Sequence, residues 1–329
     1  FNQDNERVLG DDAYGLGPRL PKQTYVYVKT LLGQGLGSRA LSVLSEYGYP
    51  YEFMENATTH SLAIAQTKDV GYLVEELAAF ILSYAKKISE AHVGTTVRDC
   101  VLTVPPFWLP TERLALLRAA EISGLNVLSL IHEGTAVGFK YGFDKEPLFA
   151  EKPLKAVFYD LGAASLKVSV VEFSSITTKK NKTQGSMTVK GVAWDAEVGG
   201  RDFDACVAEY LIDEFVKKHP AAGATLRSSP RGMAKIRKEA ERIKEILSAN
   251  VEIPVAIEAL HEDVDFRMVM QRGEFERRCE HLWPHIEPPI ASALERAGID
   301  KADIDKVEIV GGATRIPRVK EQIKAFFGR

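Results

Sequence analysis

The run KAVFYDLGAASLKVSVVEF, residues 155–173, restricts the fold more than any other part of the chain. An apolar strand ends at an acidic residue, a turn of small residues follows, and a second apolar strand begins at once, which reads as a buried hairpin. Val157, Phe158 and Tyr159 hold Asp160 at the carboxyl end of the first strand. Gly162, Ala163 and Ala164 carry little or no side chain to keep a polyphosphate from the amide N–H groups of the turn. Asp160 is then expected to face the metal that accompanies the phosphates, because magnesium keeps most of its waters and needs few protein carboxylates. A plain hairpin gives the same pattern, so a second phosphate-binding element is needed before the segment reads as a nucleotide site.

A chain of 329 residues is long for one core, and two lobes are the expectation. With a net charge of −3 there is no electrostatic footprint for nucleic acid and no polybasic membrane segment. No apolar run reaches transmembrane length, so neither nucleic-acid binding nor membrane insertion is expected. Cys100, Cys206 and Cys279 lack C-x-x-C spacing, which argues against a zinc site, a redox motif or a disulfide scaffold. Sequons at Asn56 and Asn181 fit a secretory compartment without deciding it. The chain opens at Phe1 without a methionine or a leader, and is read as processed or as a fragment.

Helical spacing of Leu73, Leu77, Ile81, Ala85 and Ile88 predicts an amphipathic helix over 71–91 whose stripe must pack. A strand over 100–104 stops at Pro105-Pro106, Thr111 caps a helix that ends at Gly124, and 126–131 is a second strand. The small residues of EGTAVGFKYG then start a helix packed on that strand. Strand, helix, strand, helix implies a parallel element. Beyond the hairpin come a strand over 188–194, a helix over 202–218 after Gly199-Gly200, a loop over 219–230 and a helix over 233–248. Strands over 251–257 and 266–270 follow, the first marked by Pro254 as an edge or bulged strand. A helix from Glu274 is interrupted near Pro284 and Pro288, and a strand over 307–310 leads through a glycine turn to a last helix entered at Pro317. The pattern gives two α/β lobes joined near residue 150.

The glycine turn in EIVGGATRIPRVK supplies the second element: Gly311 and Gly312 end a buried strand and open onto a helix, where backbone and dipole favour an anion. Arg315 follows, and its planar guanidinium can stack on a base; an ordinary tight turn with a surface arginine fits equally. In the 233–248 helix, Glu241, Lys244 and Ser248 share one polar face, either a row that holds a ribose and an adenine edge or a solvated face with a Glu-Lys pair. Glu133 lies just past a strand, where a carboxylate can orient a metal-bound or attacking water, and Lys29 lies in a short run read as a strand, within reach of a terminal phosphate. Both also fit as surface charges. His281 and His285 are four apart, but Pro284 lies between them and the spacing reads as surface histidines. No G-x-S-x-G elbow or P-loop occurs.

The collinear series TYVYVKTLLG, CVLTVPPFW, AAEISGLNVLSLIHEGTAVGFKYG, VFYDLGAASLKVSVV, VGGRDFD, ERIKEILSAN, DVDF and EIVGGATRIPRV resembles the nucleotide-binding domain of the heat-shock protein 70 superfamily. Within that superfamily, GMAKIRKEAERIKEILSAN and IEALHEDVDFRMVMQRGEFERRCEHLW are most similar to the large endoplasmic-reticulum branch, the glucose-regulated or hypoxia-upregulated relatives, of plant or algal type. The resemblance implies an α/β chain of the actin-like ATPase fold, with ribonuclease H-like lobes in two halves, each holding a large and a small subdomain around a nucleotide cleft. The subdomains are expected at 1–73, 74–148, 149–198 with 280–329, and 199–279.

By position, the resemblance places Lys29 beside the γ-phosphate, Glu133 near the metal and the attacking water, and Asp160 as the metal-water aspartate of the second half, with Glu133 and Asp160 meeting Mg through water. It places Gly162, Ala163, Ser165 and Lys167 on the phosphates from the hairpin, Gly199 and Gly200 near ribose and phosphates, and Glu241, Lys244 and Ser248 on the nucleoside. Gly311 and Gly312 approach the phosphates and Arg315 covers one adenine face. The implied ligands are ATP or ADP with Mg. The implied partners are a conventional lumenal heat-shock-70 chaperone and, through a region missing here, unfolded polypeptides. The implied role is a lumenal chaperone and nucleotide-exchange factor with weak hydrolysis; an active ATP-hydrolysing motor and a sugar kinase of the same fold are the alternatives.

The departures from the family pattern are specific. The first phosphate hairpin and the closing helix are expected but absent, so the domain reads as truncated at both ends. Ala163 and Ala164 replace glycines and are expected to cost energy wherever φ must be positive. Lys167 replaces an acidic residue, reducing negative charge near the metal and favouring binding over hydrolysis. Glu245 stands where an arginine sandwiches the adenine, so stacking is expected to be one-sided.

Overall fold

The computed structural model describes residues 1–329 except 5, 58, 68–69, 146–151, 178–182 and 329. Thr58 of the first sequon and Asn181 of the second lie outside the described residues.

The first half begins with short helices α1 (Asp11–Leu16), α2 (Val28–Leu31) and α3 (Arg39–Glu46). Strands β1 (Phe53–Glu55), β2 (Leu62–Ala65) and β3 (Gly71–Leu73) form an antiparallel sheet. Because Gly71–Leu73 joins that sheet, the long helix α4 (Val74–Val93) starts later than its spacing predicts, fixed by a hydrogen bond from Leu73 N to the Glu76 carboxylate at 2.8 Å. Only its first turns are buried: Val74, Leu77, Ala78 and Ala79 pack, whereas Ile81 and Ile88 of the expected stripe are exposed. The helix projects past the core that its first turns cover.

Strands β4 (Asp99–Val104) and β5 (Asn126–His132) pair in parallel across helix α5 (Pro110–Ile122), as the strand–helix–strand pattern requires. Thr111 does not cap α5. Pro110 takes the first helical position, where its missing N–H costs nothing, and Leu109 precedes it. Leu31, Leu44, Ile64, Leu77, Val104 and Leu116 build the core of this half.

Helix α6 (Glu133–Asp144) ends just before the expected join near residue 150. Its glycines at 134, 138 and 142 face the second half rather than β5: a Cβ at Gly138 would sit 3.1 Å from Met187 Sδ, and one at Gly142 2.8 Å from the Phe173 ring. Hydrogen atoms in place of side chains every fourth residue let the helix lie flat on the next sheet. That sheet has the order β11-β6-β7-β8, where β6 is Leu154–Leu161, β7 Leu166–Thr177, β8 Thr183–Asp195 and β11 Lys306–Val310. β6, β7 and β8 run antiparallel, and β11 adds in parallel to β6. Alternate residues of β6 go to opposite cores. Val157, Tyr159 and Leu161 enter the large core of the second half, while Leu154, Ala156 and Phe158 join Val171 and Phe173 against α6. Burying each such Phe contributes about 1.5–3 kcal/mol.

Helices α7 (Gly200–Lys218) and α9 (Pro230–Leu247) pack on each other and on the hairpin β9 (Glu252–His261) and β10 (Val264–Gln271). The stretch expected as a loop, 219–230, contains helix α8 (Pro220–Leu226), begun by a proline at its first position and continued by small residues. Pro254 lies in a two-stranded hairpin, where each strand has a free edge for it. The predicted interruption after Glu274 appears as α10 (Arg272–Arg278), a 3₁₀ turn at Trp283–His285 and α11 (Pro288–Ala297), before α12 (Pro317–Phe327) closes the chain. Among the described residues no helix is long and apolar enough to cross a membrane.

Candidate functional site

The hairpin between β6 and β7 turns on a hydrogen bond from Gly162 N to Ser165 O at 3.0 Å. Ala163 and Ala164 are not among the residues with positive φ, so the strain expected from replacing glycine is absent. The turn never enters the left-handed region, and alanine fits it as well as glycine. Among the described residues, the N–H groups of Ala163, Ala164 and Ser165 have no acceptor. They are the open donors that an anion needs.

Two other turns close on this hairpin. Gly200 N donates to Gly162 O at 2.8 Å and Arg201 N to Ala163 O at 2.9 Å, so the hairpin carbonyls satisfy the first amides of α7. A Cβ at Gly199 would stand 2.6 Å from Ala163 O, which is why the approach needs glycine. On the other side, Val310 pairs with Asp160 across β11 and β6. Gly311 follows in the left-handed region at φ 90°, its Cα facing Asp160 Oδ1. The bends at Asp160 and Gly311 therefore lie side by side at the ends of neighbouring strands.

A cavity of about 880 Å³ opens in front of the hairpin and is lined by Lys29, Glu133, Gly162, Ala163, Ser165 and Lys167, among others. Lys29 lies in helix α2 and not in a strand; Tyr27, in the left-handed region at φ 57°, turns the chain into that helix. Its ammonium contacts Glu133 Oε1 across the cleft and lies 5.7 Å from the Trp108 ring centroid. Lys167 is directly opposite Asp160 in the β6–β7 register, with Nζ 3.0 Å from Asp160 Oδ2 and 2.7 Å from Glu133 Oε2. Lys29, Glu133, Lys167 and Asp160 thus form a chain of alternating charge. Burial pushes the Glu133 carboxyl up, but Lys29 and Lys167 outweigh it and hold the group below its ordinary value. Burial likewise works against the charge on Lys167, yet Asp160 and Glu133 hold its ammonium above the usual lysine range.

This donor set was expected to meet a magnesium ion through water; as arranged it does not fit a divalent ion bound directly to the two carboxylates. Both Glu133 oxygens and one Asp160 oxygen already face ammonium groups. The open N–H donors of the turn point at the same space, and they repel a cation.

Arg201 was not identified from sequence. It occupies the first turn of α7, where a cation opposes the helix dipole, and its side chain is 9% exposed. Its Nε and Nη1 have no hydrogen-bond partner, and the nearest carboxylate oxygen, on Asp202, is 3.9 Å away. The guanidinium also lies 5.8 Å from the Tyr27 ring centroid, and it lines the same cavity as Lys29 and Lys167. The signal in the sequence was a cation placed directly after Gly199-Gly200.

The nucleoside row is occupied by protein partners. Lys244 Nζ is 2.7 Å from Asp204 Oδ1 and 3.2 Å from Gly200 O, the Ser248 hydroxyl donates to Lys244 O at 3.0 Å, and the Tyr14 hydroxyl donates to Glu241. Glu241 lines a separate cavity of about 40 Å³ with Tyr14, Tyr27 and Arg237. Gly312 and Arg315 are exposed at the 3₁₀ turn beyond Gly311. His285 is engaged through Nδ1 with Asp195 at 2.7 Å, and no metal-binding cluster occurs among the described residues.

Asp204 gives this row a pH response. Burial, opposed mainly by Lys244, pushes its carboxyl up from 3.8 to about 6. A raised carboxyl pKa opposes folding above about 6, and the penalty disappears as pH falls from 6 towards 3.8. We expect the Asp204 side-chain carboxyl resonance to titrate with a midpoint near 6, and Lys244→Met, which removes the lowering charge, to move that midpoint higher.

A family model described as Hsp70 protein matches residues 1–329. The chain is 35% identical to heat shock 70 kDa protein 17 of Arabidopsis thaliana, with 99% of the chain and 38% of the relative covered. It is 32% identical to hypoxia up-regulated protein 1 of Gallus gallus, covering 99% of the chain and 33% of that protein. For the Xenopus laevis protein of the same name the figures are 33%, 99% and 50%. The chain thus spans between a third and a half of the length of these relatives. A match from the first residue to the last, over a chain of several separate sheets, is decisive: the chain belongs to the Hsp70 family, with the mixed α/β architecture of that family's nucleotide-binding domain.

Proposed function

We propose that this chain is the adenine-nucleotide-binding domain of a large chaperone of the endoplasmic reticulum lumen, which holds ATP or ADP with little or no hydrolysis and speeds nucleotide exchange on a conventional Hsp70 partner. The observation that carries the low-turnover reading is the capture of Glu133 between two ammonium groups. A carboxylate with both oxygens engaged and its pKa depressed is a poor proton acceptor for an attacking water. Nucleotide binding is supported by the open N–H groups of the hairpin facing Lys29, Lys167 and Arg201. The lumenal and stress-linked placement rests on resemblance to relatives named hypoxia up-regulated protein 1.

In this reading the four sheets are the centres of four lobes divided at 1–73, 74–148, 149–198 with 280–329, and 199–279. Gly199, Gly200, Gly311 and Gly312 border the phosphates. Glu241, Lys244, Ser248 and Arg315 meet the nucleoside once Tyr14 and Asp204 release them. Unfolded polypeptides are held by a part of the whole protein outside this chain.

Calorimetric titration with ATP and ADP tests the binding. The expected result is saturable binding of both, with Arg201→Gln weakening it about tenfold or more, the effect of losing a buried charge-assisted contact. Release of labelled ADP from a conventional partner, accelerated by the whole protein, tests the exchange role. Single-turnover ATP cleavage at the rate of ordinary family members would overturn the low-hydrolysis reading.

A further inference from the structure

We propose that the Lys167 ammonium is a built-in cation that replaces a divalent metal in this cleft, so that the polyphosphate of a nucleotide binds here as the free, metal-less anion. The inference rests on the nucleotide-binding reading above and specifies what form of the ligand that site takes.

The position is set by the sheet. Lys167 faces Asp160 in antiparallel register, and its Nζ bridges Asp160 Oδ2 at 3.0 Å and Glu133 Oε2 at 2.7 Å, with the side chain 10% exposed. An ion placed between a hairpin carboxylate and the facing carboxylate of the other half would sit where this nitrogen already is. To enter, a divalent cation must displace a tethered ammonium and break both of its ion pairs. Magnesium needs few protein carboxylates, but both of those on offer here are already paired with an ammonium, and the turn beside them presents open N–H donors. Lys29 neutralises the other oxygen of Glu133 from the far side. Two carboxylates and two ammonium groups leave the cluster without the net negative charge that draws a divalent ion.

The same geometry serves an anion. A Cβ at Gly162 would stand 3.9 Å from Lys167 Nζ, so the ammonium lies directly beneath the bare turn whose N–H groups are open. Lys29, Lys167 and Arg201 line one cavity with that turn. Three cations on protein stems therefore meet the charge that a chelated metal otherwise neutralises.

The test compares ATP affinity of the unmodified chain in excess chelator and in excess Mg²⁺, by calorimetry. The expected dissociation constants agree within about threefold, or favour the chelator. Binding that weakens about a hundredfold or more in chelator overturns the inference and leaves nucleotide binding standing. No binding in either condition overturns both. A second arm needs no nucleotide. Titrating Mn²⁺ against the nucleotide-free chain is expected to leave the melting temperature unchanged, whereas Lys167→Met, which frees Asp160 and Glu133, is stabilised by Mn²⁺ in a saturable way. Saturable stabilisation of the unmodified chain by Mn²⁺ overturns the inference, and this arm stands even if the variant does not fold.

Discussion

Gly311→Ala is expected to destabilise the protein by about 3 kcal/mol or more and to abolish nucleotide binding, whereas Gly312→Ala, one residue on, is expected to change stability by less than about 0.5 kcal/mol. Gly311 has φ 90°, a region that costs an L-residue about 1–3 kcal/mol. Its added Cβ would also overlap the Leu161 carbonyl and stand 2.8 Å from Asp160 Oδ1. Neither neighbour yields cheaply. Leu161 is the last residue of β6, held between β7 and the core, and Asp160 is tied to Lys167. Overpacking of this kind typically costs about 1–3 kcal/mol in addition. At Gly312 φ is ordinary, the residue is exposed, and nothing lies within 4 Å of an added Cβ. Urea unfolding of the two variants beside the parent reads the difference. Equal losses would mean that Gly311 does not hold the two bends of the cleft together.

Much of this was legible because the decisive signals are local. The alternation of Val157, Tyr159 and Leu161 with Ala156 and Phe158 fixes a strand buried on both faces, and the acid–small-residue turn after it fixes the hairpin. The parallel pair β4–β5 follows from two apolar runs around one amphipathic helix. What the sequence concealed was set by tertiary partners. Lys29 sits in a run of β-branched and aromatic residues, yet Tyr27 enters the left-handed region and the run becomes a helical turn. The glycines of α6 are spaced as a flat face, but nothing local says that the face meets the sheet after residue 150 rather than the strand before it. Ala163 and Ala164 were expected to strain a turn that does not enter positive φ. For the site, Lys29, Glu133, Asp160, Gly162, Ala163, Ser165 and Lys167 come together at one cavity or its floor. Glu241, Lys244 and Ser248 instead engage Tyr14, Asp204 and their own helix, because a polar helix face reads the same in sequence whether it awaits a ligand or a side chain.

Lys167→Met should destabilise the nucleotide-free protein by about 3–5 kcal/mol, the cost of removing one partner from a buried charge cluster. Methionine matches the lysine stem in length and packs where it packed, so the loss reports the missing charge rather than a hole. What remains is a pair of facing carboxylates, Asp160 and Glu133, side chains 19% and 15% exposed, with only Lys29 on the outer side of Glu133. Two controls separate this cause from misfolding. Adding Glu133→Gln to Lys167→Met removes the facing like charge and should restore a substantial part of the loss, since an uncompensated charge and not a missing contact is the main cost. The pH dependence supplies the second. In the parent, the depressed Glu133 carboxyl contributes stability that is fully present above 4.5 and is lost as pH falls through its folded value. The raised Lys167 ammonium contributes stability that is fully present below 10.5 and is lost as pH rises through its folded value. The difference between parent and variant should therefore be largest at neutral pH and shrink on the acid side, where the carboxylates of the variant take up protons and stop repelling. Urea unfolding at pH 7 and pH 4 measures it. A gap that stays constant between the two would mean that Lys167 supports the fold by packing alone, and that the alternating charges from Lys29 to Asp160 are no more than neighbours.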